Sequence, residues 1–341
     1  MDHLKDSGLP QNGFRAVTPG ELRVTTLFLQ RKSAANINMT VNIDNTILKF
    51  IMKNLILIIS IVLIFAGCGQ KKATVENSTK NITVSILPQK NFIEKIAGND
   101  FTVNVLLPPG TSPAAYSLLP SQMAEIAKTA IWFRMGYIGF ELSWKDKIIA
   151  ANPAMKVVDL SEGLDLIAAG KTTEGENTIL TGVDPHIWMS PTLVKQMAAK
   201  MLSAISDINP AEKEKYEANY NAFISEIDSL DAEIRSQLAP FAGKKIITFH
   251  PSLSYFARDY GIEQLSLESG SKEPTPQRMT ELIDLARHEN IKVIYIQGEL
   301  DREHARVFAE ETGGEVVQVH PLNPDWSANL REMTQTIISN F

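Results

Sequence analysis

Residues 211–237, AEKEKYEANYNAFISEIDSLDAEIRSQ, run without a glycine or a proline. Tyr216, Tyr220, Phe223, Ile227, Leu230 and Ile234 recur within them at the spacing of one helical face. At 1.5 Å of rise per residue such a helix is roughly 40 Å long, which few architectures accommodate. It sits between two series of short β-rich runs that alternate with helical patterns. The first series has strands at 82–87, 101–107, 131–134 and 156–160, with helices at 90–97, 121–129 and 141–150. The second has strands at 245–249, 263–267, 292–296 and 315–319, with helices at 253–259, 276–289, 302–312 and 327–339. Continuous apolar strands separated by helices predict parallel sheets covered on both faces. The fold class is therefore α/β: two lobes, each a parallel sheet flanked by helices, joined by one long rigid helix. The halves share an architecture but no sequence repeat. Residues 163–183, with GKTTEGENT inside, read as a loose surface loop.

A chain of 341 residues suits two such lobes. The segment before them is of another kind. Residues 53–68 read KNLILIISIVLIFAGC: Lys53, then an apolar run broken only by Ser60, then Ala66-Gly67-Cys68. The run is too short to span a bilayer on its own and right for the apolar part of a signal peptide. Small residues followed by a cysteine resemble a bacterial lipoprotein signal, although Phe65 stands where that pattern prefers Leu. The resemblance implies that Cys68 is lipidated and becomes the new N-terminus. Cys68 is also the only cysteine, which excludes a disulfide framework, a Cys-based zinc finger and a CxxC redox motif. The expected organisation is an upstream extension over 1–51, without periodicity and preceding the natural start at Met52. A signal peptide follows over 52–67 and a polar tether over 68–80. The N-terminal lobe covers 81–209, the linking helix 210–238 and the C-terminal lobe 239–341. The formal net charge is -6 and no basic stripe is visible, so nucleic acid is not an expected partner.

Without thiols, any soft-metal site must use histidine and carboxylates. His288 lies near the C-terminal end of a predicted helix, where positive charge is favourable, and His304 lies in the first turns of another; both read as surface residues. Three other histidines each adjoin a proline. His186 sits in Asp184-Pro185-His186-Ile187-Trp188, His250 precedes Pro251 after the strand KKIITF, and His320 precedes Pro321 after the strand EVVQV. Two of these are at C-terminal ends of parallel strands, the edge where open α/β sheets place ligands. Neutral imidazoles suit zinc.

DPHIWMSP, ITFHPSLSYFARDYGI, KEPTPQRM and VVQVHPLNP together resemble motifs of the zinc/manganese solute-binding proteins of ABC importers, the ZnuA- and TroA-like family. The likeness covers residues 82–341 in order. It implies two α/β lobes joined by a rigid helix and a metal bound in the cleft between them. It implies docking on a membrane permease driven by a cytoplasmic ATPase, from an extracytoplasmic site at the periplasmic or cell-envelope membrane surface, as an anchored monomer. His186 and His250 match ligand positions of the family, and His320 falls where its members usually have Asp. The family's first ligand, the His of a Pro-His-x-Tyr pattern, is replaced here by Ala114 in Pro113-Ala114-Ala115-Tyr116. Gln297 stands in a slot often held by Glu, and Glu299, two residues on, is a compensating oxygen candidate whose competing reading is a helix-start carboxylate. Zinc is the expected cargo and manganese the lesser one, because manganese sites prefer more oxygen ligands.

Two other readings compete. Three imidazoles around an open position also describe hydrolytic zinc sites. Such an enzyme needs a general base in reach, and the chain has no HExxH and no paired acidic motif beside a candidate ligand. No catalytic residue is assigned and no enzyme is expected. Alternatively the fold serves a non-metal cargo or adhesion, with Tyr116 and Trp188 lining the cleft.

Overall fold

Two four-stranded parallel sheets carry the structure, and both follow one strand order. The computed structural model describes residues 52–54, 80–114, 116–174, 177–268, 273–298 and 302–341. In the first sheet β1 (Asn81–Val84) and β3 (Ile131–Arg134) are central, with β2 (Thr102–Val105) outside β1 and β4 (Lys156–Asp159) outside β3. An antiparallel hairpin, β5 (Ala168–Glu174) and β6 (Asn177–Val183), comes next. In the second sheet β7 (Lys245–Thr248) and β9 (Val293–Ile296) are central, flanked by β8 (Glu263–Ser266) and β10 (Glu315–Gln318). Each sheet therefore reverses its winding between its first and third strands, which is where ligand crevices of open α/β sheets form.

The hairpin replaces the loop expected over 163–183. Its strands, AAGKTTE and NTILTGV, carry four Thr, one Ile and one Val, and the first is followed by Gly175; β-branched residues on either side of a glycine are a hairpin pattern, here masked by the density of polar residues. The other difference is local. The apolar run predicts a first strand through Leu87, whereas Leu87–Ala97 is already helix. Pro88 opens that helix, and the Gln89 side chain accepts from the backbone N–H of Ser85 at 2.8 Å and of Ile86 at 3.0 Å. A side-chain acceptor three residues into a helix caps otherwise orphaned amides.

The long helix is Lys213–Leu238, 26 residues, with single 3-10 turns before and after it. Of the six residues predicted for its inner face, Tyr216, Phe223, Ile227, Leu230 and Ile234 are buried, and Tyr220 is half-buried. It lies against helices of both sheets: Lys95 of Leu87–Ala97 reaches Glu226 at 2.6 Å, and Arg331 of Trp326–Ile338 reaches Glu233 at 2.7 Å. The core runs from the first sheet across this helix to Trp326 and Leu330. A second cluster, with Ile247, Ile294, Leu282 and Phe308, covers the other face of the second sheet. Adjacent residues Ile246 and Ile247 fall into different clusters, as a strand buried on both faces requires. No helix among the described residues is long and apolar enough to cross a membrane. The segments read as upstream extension, signal peptide and tether, including Cys68, lie outside the described residues apart from 52–54 and 80.

The start of the long helix is pinned at Asp100, which takes Lys215 Nζ at 2.7 Å and the Tyr216 hydroxyl at 2.8 Å. The hydrogen bond from Lys215, with a smaller one from Tyr216, holds its carboxyl below the usual carboxylate range despite the opposing effect of burial. A carboxyl with a depressed folded-state pKa stabilises above its unfolded value, about 3.9, and loses that contribution as pH falls through the folded one. Asp100→Asn is accordingly expected to lower the urea midpoint at pH 7. The difference from wild type should begin to narrow only below the unfolded value of about 3.9 and close as the pH falls through the lower folded one; partial exposure keeps the effect modest.

Candidate metal centre

His186 is delivered by the hairpin. Beyond Val183 the chain turns through Asp184 and Pro185 into a 3-10 turn, Ile187–Met189, and then the helix Pro191–Ile208. Ser190 caps that helix, its hydroxyl oxygen accepting from the Leu193 N–H at 3.1 Å. Asp184 Oδ1 accepts twice from His186, from the backbone N–H at 2.9 Å and from Nδ1 at 2.8 Å. His186 is 7% exposed. Burial pushes its imidazole below the ordinary value, against the opposing pull of Asp184, and so keeps it neutral at pH 7. With Nδ1 donating to a carboxylate, the free lone pair is on Nε2.

His250 follows β7 by two residues. Its Nδ1 meets Glu268 Oε2 at 2.6 Å. Glu268 was not singled out in the sequence, yet register locates it: Thr248 pairs with Ser266, so the residues two beyond each, His250 and Glu268, emerge side by side. Both histidines therefore have the arrangement that metal-ligating imidazoles use, in which the second nitrogen donates to a carboxylate that fixes ring and tautomer. The rings stand with centroids 5.1 Å apart and planes at 75°.

The structure thus brings two of the three proline-flanked histidines together. His320 follows β10 and is exposed; its carbonyl accepts from the Asn323 N–H and the Asn329 side-chain amide, each at 3.0 Å. Among the described residues no three His, Cys, Asp or Glu side chains gather into a group able to hold a metal. Glu299 lies outside the described residues. Ala114 is exposed on a turn packed against the start of Gly139–Ala151: Phe140 N–H donates to the Pro113 carbonyl at 3.1 Å. A side chain on Gly139 would run into the Ala114 carbonyl. Tyr116 is half-buried, edge-on to Phe140 at 6.1 Å and donating to Gln122 at 2.9 Å. Trp188 is buried, with its ring 5.2 Å from that of His186. His288 and His304 are exposed, and His304 stacks on Phe249.

A family model described as zinc-uptake complex component A periplasmic, ZnuA, matches residues 82–340. The high-affinity zinc uptake system protein ZnuA of Bacillus subtilis is 25% identical over 273 residues, 76% of this chain and 85% of that protein. The zinc-binding lipoprotein AdcA of Streptococcus pneumoniae is 27% identical over 271 residues, 77% of this chain and 53% of AdcA, so the chain spans about half the length of that relative. A solved structure of a ZnuA deletion mutant with zinc bound is 36% identical with a TM-score of 0.70, covering 76% of this chain and 97% of that one.

Proposed function

Because this chain belongs to the periplasmic zinc-uptake component A family, we propose that it is the extracytoplasmic solute-binding component of an ABC importer with zinc as its cargo. The observation that carries the reading is the His186–His250 pair, each ring engaged at Nδ1 by its own carboxylate. Each ring then keeps its Nε2 for an ion, and such nitrogen donors favour zinc over manganese. His320 and Glu299 are the further ligands proposed to complete the shell, and Tyr116 and Trp188 edge the site. Cys68 is the proposed lipid anchor, with 68–80 as tether, 81–209 and 239–341 as lobes and 210–238 as the linking helix. The partners are the permease and its cytoplasmic ATPase. The protein is a carrier and not an enzyme.

The test is elemental analysis of the mature protein purified without chelator or His tag, followed by melting with and without zinc. About one equivalent of zinc is expected. Because the ion binds the folded chain, free zinc at about 100 times the dissociation constant should add roughly 2.7 kcal/mol, and EDTA should remove it. A melting temperature unmoved by zinc at pH 7.5 would overturn the reading.

A further inference from the structure

The segment 184–190 that carries His186 is fastened to elements from the other side of the linking helix. The Tyr255 hydroxyl donates to the Asp184 carbonyl at 2.8 Å and accepts from the Ile167 N–H at 3.0 Å. Ile167 and Asp184 are the residues just outside β5 and β6, and they are themselves joined by the Asp184 N–H to the Ile167 carbonyl at 2.8 Å. The phenol therefore closes the open end of the hairpin. Further along, Trp326 Nε1 donates to the Trp188 carbonyl at 2.7 Å, and Trp188 Nε1 donates to the Pro321 carbonyl at 2.8 Å. Ser190 Oγ hydrogen-bonds Asp259. Tyr255, Trp188 and Trp326 are all buried.

We propose that Tyr255 is a positioning residue for the metal ligand His186: from the helix Ser254–Tyr260 its phenol fixes the backbone of Asp184, whose carboxylate orients the imidazole. Trp326 braces the same segment from its other end. Tyr255 lies five residues beyond His250, so one short stretch supplies one nitrogen ligand and sets the place of the other. The separation of the two Nε2 atoms then follows the second sheet and its loops, although His186 precedes the linking helix in sequence. Ligands must be held within fractions of an ångström for metal affinity, and groups that orient them count almost as heavily as the ligands themselves. The inference rests on the reading of His186 as a ligand.

Tyr255→Phe keeps the buried ring and removes only the hydroxyl. In the full mature chain it is expected to weaken zinc binding by about 10- to 100-fold, measured by competition with a chelating dye. It is also expected to alter the visible absorption of the cobalt-substituted protein, which reports ligand geometry. Trp326→Phe should move both readouts in the same direction and carries the test if Tyr255→Phe does not fold. The control is Tyr216→Phe, which loses comparable bonds to Asp100 and Asn209 far from the site and should leave zinc affinity and the cobalt spectrum unchanged. Wild-type zinc affinity in Tyr255→Phe, or an equal loss in Tyr216→Phe, overturns the proposal. His186→Ala separates this failure from that of the ligand reading. If that variant loses zinc while Tyr255→Phe does not, only the positioning role falls; if it binds zinc normally, both fall.

Discussion

His250→Ala is expected to lower zinc affinity by more than about a hundredfold. Loss of an orienting partner behind a ligand already costs about 10- to 100-fold, and this substitution removes a proposed ligand nitrogen itself. No neighbour in its loop can replace it, since residues 251–256 are Pro, Ser, Leu, Ser, Tyr and Phe. Glu268 loses its imidazole partner at the same time. His186→Ala should be at least as costly, because that side chain is buried and its loss also strands Asp184. Isothermal titration or dye competition on both variants checks the expectation; zinc binding like wild type in both would remove the site.

The second large effect concerns stability. Glu141 is fully buried, and its two carboxylate oxygens accept from the Met135 N–H at 2.7 Å and the Gly136 N–H at 2.8 Å. Arg134, itself 5% exposed, lies 3.6 Å from Glu141 and 3.1 Å from Asp159. Glu141→Ala would leave two amides without acceptors and the guanidinium with Asp159 and the Gly136 carbonyl in place of a second carboxylate. Breaking a buried charge pair by deleting one partner costs about 3–5 kcal/mol. In a folded unit of this size that corresponds to a melting temperature lowered by roughly 10 °C. The turn that Glu141 holds also supports the Pro113–Ala114 backbone through Phe140. Calorimetry on the metal-free protein isolates the stability term; a shift within 2 °C or so would show that the network relaxes around the deletion.

The parts of the fold that were legible share one cause. Helix and strand periodicity are local, so the long helix, the parallel strands and most of the crossover helices could be read from spacing and from apolar runs bounded by turn residues. Residues with two local readings were less legible. Leu87 extends an apolar strand pattern yet starts a helix, because Gln89 turns back to cap it. The hairpin at Ala168–Glu174 and Asn177–Val183 looked like a loop because its strands are polar, and polar alternation carries little signal without a core to face.

At the candidate metal centre, local sequence was enough to pick out side chains chemically fit to bind a soft metal: imidazoles next to prolines, two of them at strand ends, with thiols excluded because Cys68 stands alone. Strand-end placement is inherited from periodicity, so His250 needed no tertiary information. The partners of those imidazoles did. Glu268 is 18 residues from His250 and is chosen by the register of β7 against β8. Tyr255 is 71 residues from Asp184 and reaches it only because the hairpin folds back onto the second sheet's helix. Hydrogen bonds between residues so far apart leave no periodic trace, since their closeness is set by how sheets and helices pack and not by local conformational preference. Only the packing of sheets and helices brings the rings of His186 and His250 to 5.1 Å between centroids, each Nδ1 turned to a carboxylate.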